Sequence, residues 1–546
     1  MRFGGGATGW LGRPDAPHRE SSGPSESSLG SRATQPEEPD ARSSVADLVS
    51  AMTAATKPTV PRAQLTPWVP PMALKGAPFP SIRLPGSLVA RGAPTVLSAA
   101  VLASAALATP VLRDAATGRQ VGDVTLALPT GYTLLAPWCD TLDALSLLSA
   151  RQHLALVATV LVTHVAWRVG GRLRDRARRA RIRMGHSRDE RWLGAHGLLC
   201  RLGREVGREL GALGVLLLAI IAVYAASLAP RPMAALRPAG EDVVTVDFHS
   251  HTAASWDGRV GFGSEENRAW HRAAGFDVAF VTDHRSFTGA VAAEARNPRA
   301  AGDGTTLLTG IETRYRAQHL NVLGGTVQRD RAFLVGAVDP LALASAARSL
   351  APEGILLVTV PAQLGEVPEV VAESGGAARA IELSDAAPRG LAQLDSARSR
   401  VLHLADSLDL AVVAGSDNHG WGRTSAAWSL LTIPGWRRVS PDSLSSLIVA
   451  RIRQRGRRAV RVVERAHPHA SHGAALALIA PAVVSTMLTQ MQWPERVSWL
   501  LWTWGAWAAA VVVFARKQGH AISAEAADLP NDASREYRDR ISRLPR

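Results

Sequence analysis

The stretch Val246-Asp-Phe-His-Ser-His-Thr-Ala-Ala-Ser-Trp-Asp-Gly258 decides how this chain is read. Val243–Phe248 is an apolar run interrupted by one charge, Asp247, which is the pattern of a buried strand. His249 and His251 follow two residues apart, so on a strand both imidazoles face one side and can reach one ion. Asp257 stands close behind them. Three further runs end in the same way. Val278–Val281 leads into Thr282-Asp283-His284, Thr306–Thr309 into Gly310-Ile311-Glu312, and Leu410–Ala414 into Gly415-Ser416-Asp417-Asn418-His419. Four strand-like segments that each end in a metal-type ligand predict a barrel of parallel strands with a site at one rim.

In this order and spacing the motifs resemble the PHP family, the metal-dependent phosphoesterases grouped with polymerases and histidinol phosphatase. The resemblance spans Val243–Arg465, less than half of the chain. It implies an α/β fold, a distorted seven-stranded barrel, here flanked by transmembrane helices. It also implies two or three divalent ions (Mn²⁺, Zn²⁺ or Fe²⁺) at the strand ends. Carried over residue by residue, the ligands are His249, His251, Asp257, His284, Glu312, His319, Asp417 and His419. Asp283 is expected to orient His284. Glu312 is expected to bridge two ions, since a carboxylate offers two oxygens. His319, seven residues after Glu312, is expected from the resemblance to return across a hairpin and face that carboxylate.

The chain departs from the family at one place. Small members carry Ala-His-Pro at the end of the fifth strand, and this chain has Thr359-Val360-Pro361. Valine cannot ligate, so one ion loses a nitrogen donor. Glu382, at the end of the next strand, is assigned a structural role. Ala466-His467-Pro468-His469 has the missing letters, but it follows the Asp417 motif and is read as a juxtamembrane segment.

The net charge of +14 is carried almost wholly by arginine, with lysine only at Lys57, Lys75 and Lys517. Together with abundant alanine and glycine, that reads as compositional bias rather than as a nucleic-acid surface. Cys139 and Cys200 are far apart, which excludes a disulfide framework and a cysteine zinc site.

Five regions are expected. Residues 1–90, rich in Ser, Pro and Gly, form a disordered tail. Residues 91–230 are a membrane region of about three helices, around Thr95–Leu112, Leu154–Trp167 and Leu213–Leu228. An Arg-rich loop at 170–210 separates the last two. Residues 240–465 alternate strand and helix and hold the metal motifs. Residues 473–515 form two more membrane helices, the second crowded with Trp499, Trp502, Trp504 and Trp507. Residues 516–546 are a polar tail. The Arg-rich loop should face the cytoplasm, which puts the metal domain on the extracytoplasmic side.

No Ser or Cys nucleophile motif and no phosphate-binding glycine loop appears, so the expected chemistry is hydrolysis by metal-activated water. Asp417 and His284 are the expected catalytic side chains. Arg285 is placed to meet a phosphate, with Arg314 and Arg316 as further candidates. The expected function is a membrane-anchored phosphoesterase for a small phosphorylated molecule, with the lipid bilayer as the other partner. One alternative is an impaired metal-binding sensor or scaffold. Another is a nuclease on single-stranded nucleic acid, which the lack of an aromatic-interleaved basic groove disfavours.

Overall fold

A computed structural model of the chain describes residues 87–183, 195–324 and 353–527. The expected tail up to residue 86, part of the Arg-rich loop and the end of the C-terminal tail lie outside the described residues.

Twelve strands occur among them: β1 (Leu112–Asp114), β2 (Val124–Ala127), β3 (Ala235–Pro238), β4 (Val243–Ser250), β5 (Val278–Val281), β6 (Thr306–Tyr315), β7 (Gln318–Leu323), β8 (Ile355–Val358), β9 (Ala378–Ser384), β10 (Ala411–Ala414), β11 (Ala427–Thr432) and β12 (Arg461–Arg465). β2 and β3 pair with each other. The other ten form one mixed sheet in the order β1-β12-β11-β4-β5-β6-β7-β8-β9-β10. The apolar runs Val243–Phe248, Val278–Val281, Thr306–Thr309 and Leu410–Ala414 fall on β4, β5, β6 and β10, and three further apolar runs, Leu320–Leu323, Ile355–Val360 and Ala380–Leu383, on β7, β8 and β9. The sheet is nevertheless larger than the expected seven strands and not wholly parallel. β7 runs antiparallel to β6 and β8, and β11, β12 and β1 add three antiparallel strands beside β4.

The sheet curls. β10 is last in the order, yet Ala414 N donates to Ser429 Oγ of β11 at 2.8 Å, and Asp417 N donates to His249 O at 2.7 Å. The end of β10 is thereby returned to the end of β4. Both faces are covered, as the unbroken apolar runs require. Val244, Val246 and Phe248 pack with Val278, Phe280, Trp436 and Ile448. Ile311, Val322, Val358, Ile381, Val401 and Val412 form a second core. Fully burying each such side chain contributes roughly 1.5–3 kcal/mol.

Among the described residues, four segments are long and apolar enough to cross a bilayer: Ala150–Arg178, Leu202–Ser227, Gly473–Gln490 and Trp493–Arg516. Their side chains, among them Val162, Leu218, Ile221, Leu501 and Val513, are exposed. The first expected span is shorter than its apolar run. The helix Ser87–Ala103 gives way to a 3₁₀ turn, and Leu112 already belongs to β1. The residues that follow join the sheet. Leu112, Leu126, Tyr132 and Cys139 are buried against Trp270, Phe276, Trp428 and Val463.

Candidate metal centre

The period of a strand explains how β4 presents its ligands. Phe248 enters the core, while the alternate residues Asp247, His249 and His251 face the opposite side. Asp247 braces this turn: its Oδ1 accepts from His249 N at 3.0 Å and Ser416 N at 2.9 Å, and its Oδ2 meets His271 Nε2 at 2.8 Å. β5 delivers His284, β6 delivers Glu312, and the tight β6–β7 hairpin returns His319 to Glu312 with 2.5 Å between Nδ1 and Oε1. β10 delivers Asp417 and His419. Gly415 just before them lies so close to β4 that a Cβ there would sit 2.4 Å from His249 Cβ and 2.3 Å from Glu382 Oε1. Asp417 has a φ of 45° and Arg285 one of 52°, in the left-handed region where non-glycine residues are strained.

The donor atoms converge. His251, His284 and His419 form one group, His249, His251 and Asp417 a second, and His284, Glu312 and His319 a third; within each, the atoms lie within 4.8 Å of one another. Glu312 Oε2 is 3.1 Å from His249 Nε2, 3.2 Å from His251 Nε2 and 3.3 Å from His284 Nδ1. Asp417 Oδ1 is 3.3 Å from His249 Nε2 and 3.2 Å from His251 Nε2. Asp257 closes the other side, 3.5 Å from His284 Nε2 and 3.2 Å from His419 Nε2. All eight expected ligands are thus in one cluster. His251 Nε2, His419 Nε2 and Asp257 Oδ1 are buried without a hydrogen-bond partner. Imidazoles and carboxylates aimed at shared points, with donor atoms left over, fit divalent cations.

The electrostatics divide the imidazoles. Burial works against a charge on His249, but Asp417, Glu382 and Glu312 overcome it and raise its pKa well above the usual value. For His251 burial is likewise outweighed by Asp417 and Glu312, and its pKa rises to about 9. Burial lowers His284 and His419, helped by the neighbouring imidazoles. The Glu312 carboxyl, despite burial, is held well below its usual range by His249 and the other imidazoles.

Several neighbours differ from expectation. The Asp283 carboxylate makes no hydrogen bond to the His284 ring and reaches His284 through Ser255, whose Oγ accepts from His284 N at 3.0 Å. It accepts from Thr252 N at 2.6 Å, Thr252 Oγ1 at 2.7 Å and Ser255 Oγ at 3.2 Å, and Ser255 Oγ in turn lies 3.0 Å from His251 Nδ1. Asp283 therefore positions His251 through Ser255. Arg316 is tied to Glu369 and to Glu373, the latter at 2.7 Å, which removes it from phosphate binding. His467 and His469 contact Arg465 O and Asp395, away from the cluster.

The cluster floors a cleft of about 530 Å³. Val360 lines it, as does Asp385, whose burial beside Glu382 and Asp417 raises its pKa well above normal. Arg389 lines both this cleft and an adjoining one of about 510 Å³ that also holds Arg285 and Arg314. Asp385 and Arg389 were missed in the sequence, although Ser384-Asp385 ends the apolar run of β9 just as the recognised ligands end theirs.

No protein-family model and no curated protein matches the chain. Among solved structures it is similar to PsfC from Pseudomonas syringae, with 18% identity over 46% of this chain and 99% of that one, at a TM-score of 0.29. It is also similar to the lesion-specific endonuclease EndoQ from Pyrococcus furiosus, with 14% identity over 40% of this chain and 57% of that one, at 0.30. A third is a two-domain protein from Bacteroides vulgatus containing a predicted PHP-like metal-dependent phosphoesterase, with 16% identity over 41% and 65%, at 0.26.

Proposed function

We propose that this protein is a membrane-anchored, metal-dependent phosphoesterase. The observation that carries the reading is the convergence of seven His and Asp/Glu side chains in three overlapping groups, joined by Asp257 through His419, at the floor of a cleft rimmed by arginine. His249, His251, Asp257, His284, Glu312, His319, Asp417 and His419 would hold the ions, with Glu312 within reach of His249, His251, His284 and His319. Ions bound there supply Lewis-acid stabilisation of a phosphoryl group and a water acidic enough to attack at neutral pH.

The chain's own residues do the rest. Arg285, Arg314 and Arg389 face the cleft without an ion-pair partner among the described residues, so each is free to meet phosphate oxygens. Asp417 and His284, which line the cleft, are placed to hold the attacking water and to pass a proton. Glu382 and Asp247 hold His249 in position from behind.

Our reading puts the metal domain on the extracytoplasmic side. β1 precedes the spans Ala150–Arg178 and Leu202–Ser227, β4 follows them, and both strands belong to one sheet. The pair of spans therefore leaves and re-enters the same side. The arginines between them belong in the cytoplasm.

The test is elemental analysis of the full-length protein in detergent, together with a screen of phosphomonoesters and phosphodiesters. Bound Mn²⁺, Zn²⁺ or Fe²⁺, with hydrolysis lost in Asp417→Asn, is the expected result. A folded protein that binds none of these ions would end the proposal.

A further inference from the structure

The metal cleft opens at the end of the sheet where the chain passes into its apolar helices. Leu112 lies opposite Arg465 in the β1–β12 ladder, and Arg465 N donates to Ala426 O at 2.8 Å. β11 continues this alignment onto β4, with Ser429 opposite Val246. The ends marked by Leu112, Arg465 and Ala426 are therefore level with the His249 end of β4. On one side of Leu112, Thr109 N donates to Thr489 O, and just beyond Arg465, Ala466 O accepts from Gln490 Nε2. Thr489 and Gln490 end the apolar segment Gly473–Gln490.

A third junction touches the cleft itself. Arg231 lies four residues beyond Ser227, where the span Leu202–Ser227 ends. Its Nη2 donates to Thr424 Oγ1 at 2.8 Å, and Thr424 lines the cleft with Asp417 and His419. Thr424 also donates to Asp143 at 2.7 Å. Asp143 lies on the helix Ala136–Ser146, which exposes Trp138, and Leu134 O just before that helix accepts from Trp502 of the last apolar helix at 2.8 Å. Exposed tryptophan beside apolar helices, as at Trp138, is enriched at a bilayer interface.

The side chains next to this part of the lining are cationic, as contact with an anionic surface requires. Arg259, whose N donates to His419 O, and Arg423, between the lining residues Gly422 and Thr424, have no ion-pair partner among the described residues, and the Nε of each is buried without a hydrogen-bond partner. Trp421, half-exposed, stands on the cleft wall between His419 and Arg423.

We propose that the substrate is a phosphate ester of a membrane lipid, taken directly from the bilayer surface, with Arg259, Arg423 and Trp421 receiving it. This rests on the phosphoesterase reading above and narrows its small phosphorylated molecule to a lipid. In the reaction the oxygen of water bonds to phosphorus, the P–O bond to the lipid breaks, and the lipid alkoxide takes the proton that the water gives up. Phosphate leaves into water, and the alcohol stays in the membrane.

The experiment uses the full-length Mn²⁺-loaded protein reconstituted in phosphatidylcholine vesicles. Four substrates are compared: dioleoyl phosphatidate in the vesicles, and glycerol 3-phosphate, a 5′-mononucleotide and a short oligothymidylate in solution. Phosphate release from phosphatidate should exceed that from glycerol 3-phosphate by about tenfold or more, because the chains hold the ester at the surface. Replacing both Arg259 and Arg423 with Ala should bring that ratio down toward one. Equal or faster turnover of any of the soluble esters would overturn the lipid assignment while leaving the phosphoesterase reading intact. Failure to hydrolyse any of the four by protein that retains its metal would remove the phosphoesterase reading, and this inference with it.

Discussion

Glu382 and His249 are locked together at the back of the cluster. Glu382 Oε2 lies 3.1 Å from His249 Nδ1 and also accepts from Val360 N at 3.0 Å, and both side chains are buried. The contact fixes one nitrogen of the ring and turns the other, Nε2, toward Glu312 and Asp417.

Glu382→Gln should therefore weaken metal binding by about 10–100-fold while the fold survives, the usual consequence of losing the carboxylate behind a ligating histidine. Metal titration of the variant beside the wild type, with circular dichroism as the control for folding, checks this. Unaltered affinity would mean that Glu382 only fills space.

Val360 occupies a wall of the cleft with His249 and Asp417, where the sequence comparison expects a histidine in small family members. Val360→His should raise the number of bound ions. The larger ring brings an overpacking cost of about 1–3 kcal/mol, so stability falls while occupancy rises. Elemental analysis decides the first point and thermal unfolding the second. Unchanged stoichiometry in a folded variant would show that no ion is within its reach.

The Arg398–Glu464 pair ties the helix Asp395–Ser407 to β12, with 2.6 Å between Nη2 and Oε2 and both side chains buried. Burial pushes the Glu464 carboxyl up, but His469 and Arg398 outweigh it and hold the pKa below the ordinary 4.5. A carboxyl that is more acidic when folded stabilises the protein fully above its unfolded pKa, and that contribution is lost as the pH falls through the folded value. Glu464→Gln should cost about 3 kcal/mol at pH 7, because a buried arginine loses its partner. The gap from wild type should narrow below pH 4.5. Unfolding in detergent at both pH values measures it, and a gap independent of pH would exclude ionisation of Glu464 as the source.

A fragment limited to residues 240–465 should be poorly soluble. It lacks β1, which covers the edge of β12, and it lacks Leu126, Tyr132 and Cys139, which cover Trp270, Phe276 and Trp428. A bare strand edge and an uncovered aromatic face both promote association. Size-exclusion chromatography of the fragment tests this. A monodisperse monomer would show that the N-terminal cover is dispensable.

Sequence alone determined the features that depend on short-range pattern. The seven apolar runs of the metal region were legible because a buried strand needs unbroken apolar residues. The candidate ligands were legible because they stand at the ends of those runs, two residues apart in His249/His251 and in Asp417/His419. Tertiary structure decided what depends on contacts between distant segments. β1 meets β12 across about 350 residues, and nothing local in Leu112-Arg-Asp114 marks it as a strand. The same holds for Asp283, whose carboxylate meets Ser255 and through it both the His251 ring and the His284 backbone, and for Arg316, which Glu369 and Glu373 draw away. Arg389 reaches the cleft only because β9 ends beside β10. The physical reason is common to all of these. Strand propensity and ligand chemistry are written in neighbouring residues, whereas hydrogen-bond and ion-pair partners are chosen by the curl of a sheet that brings remote ends together.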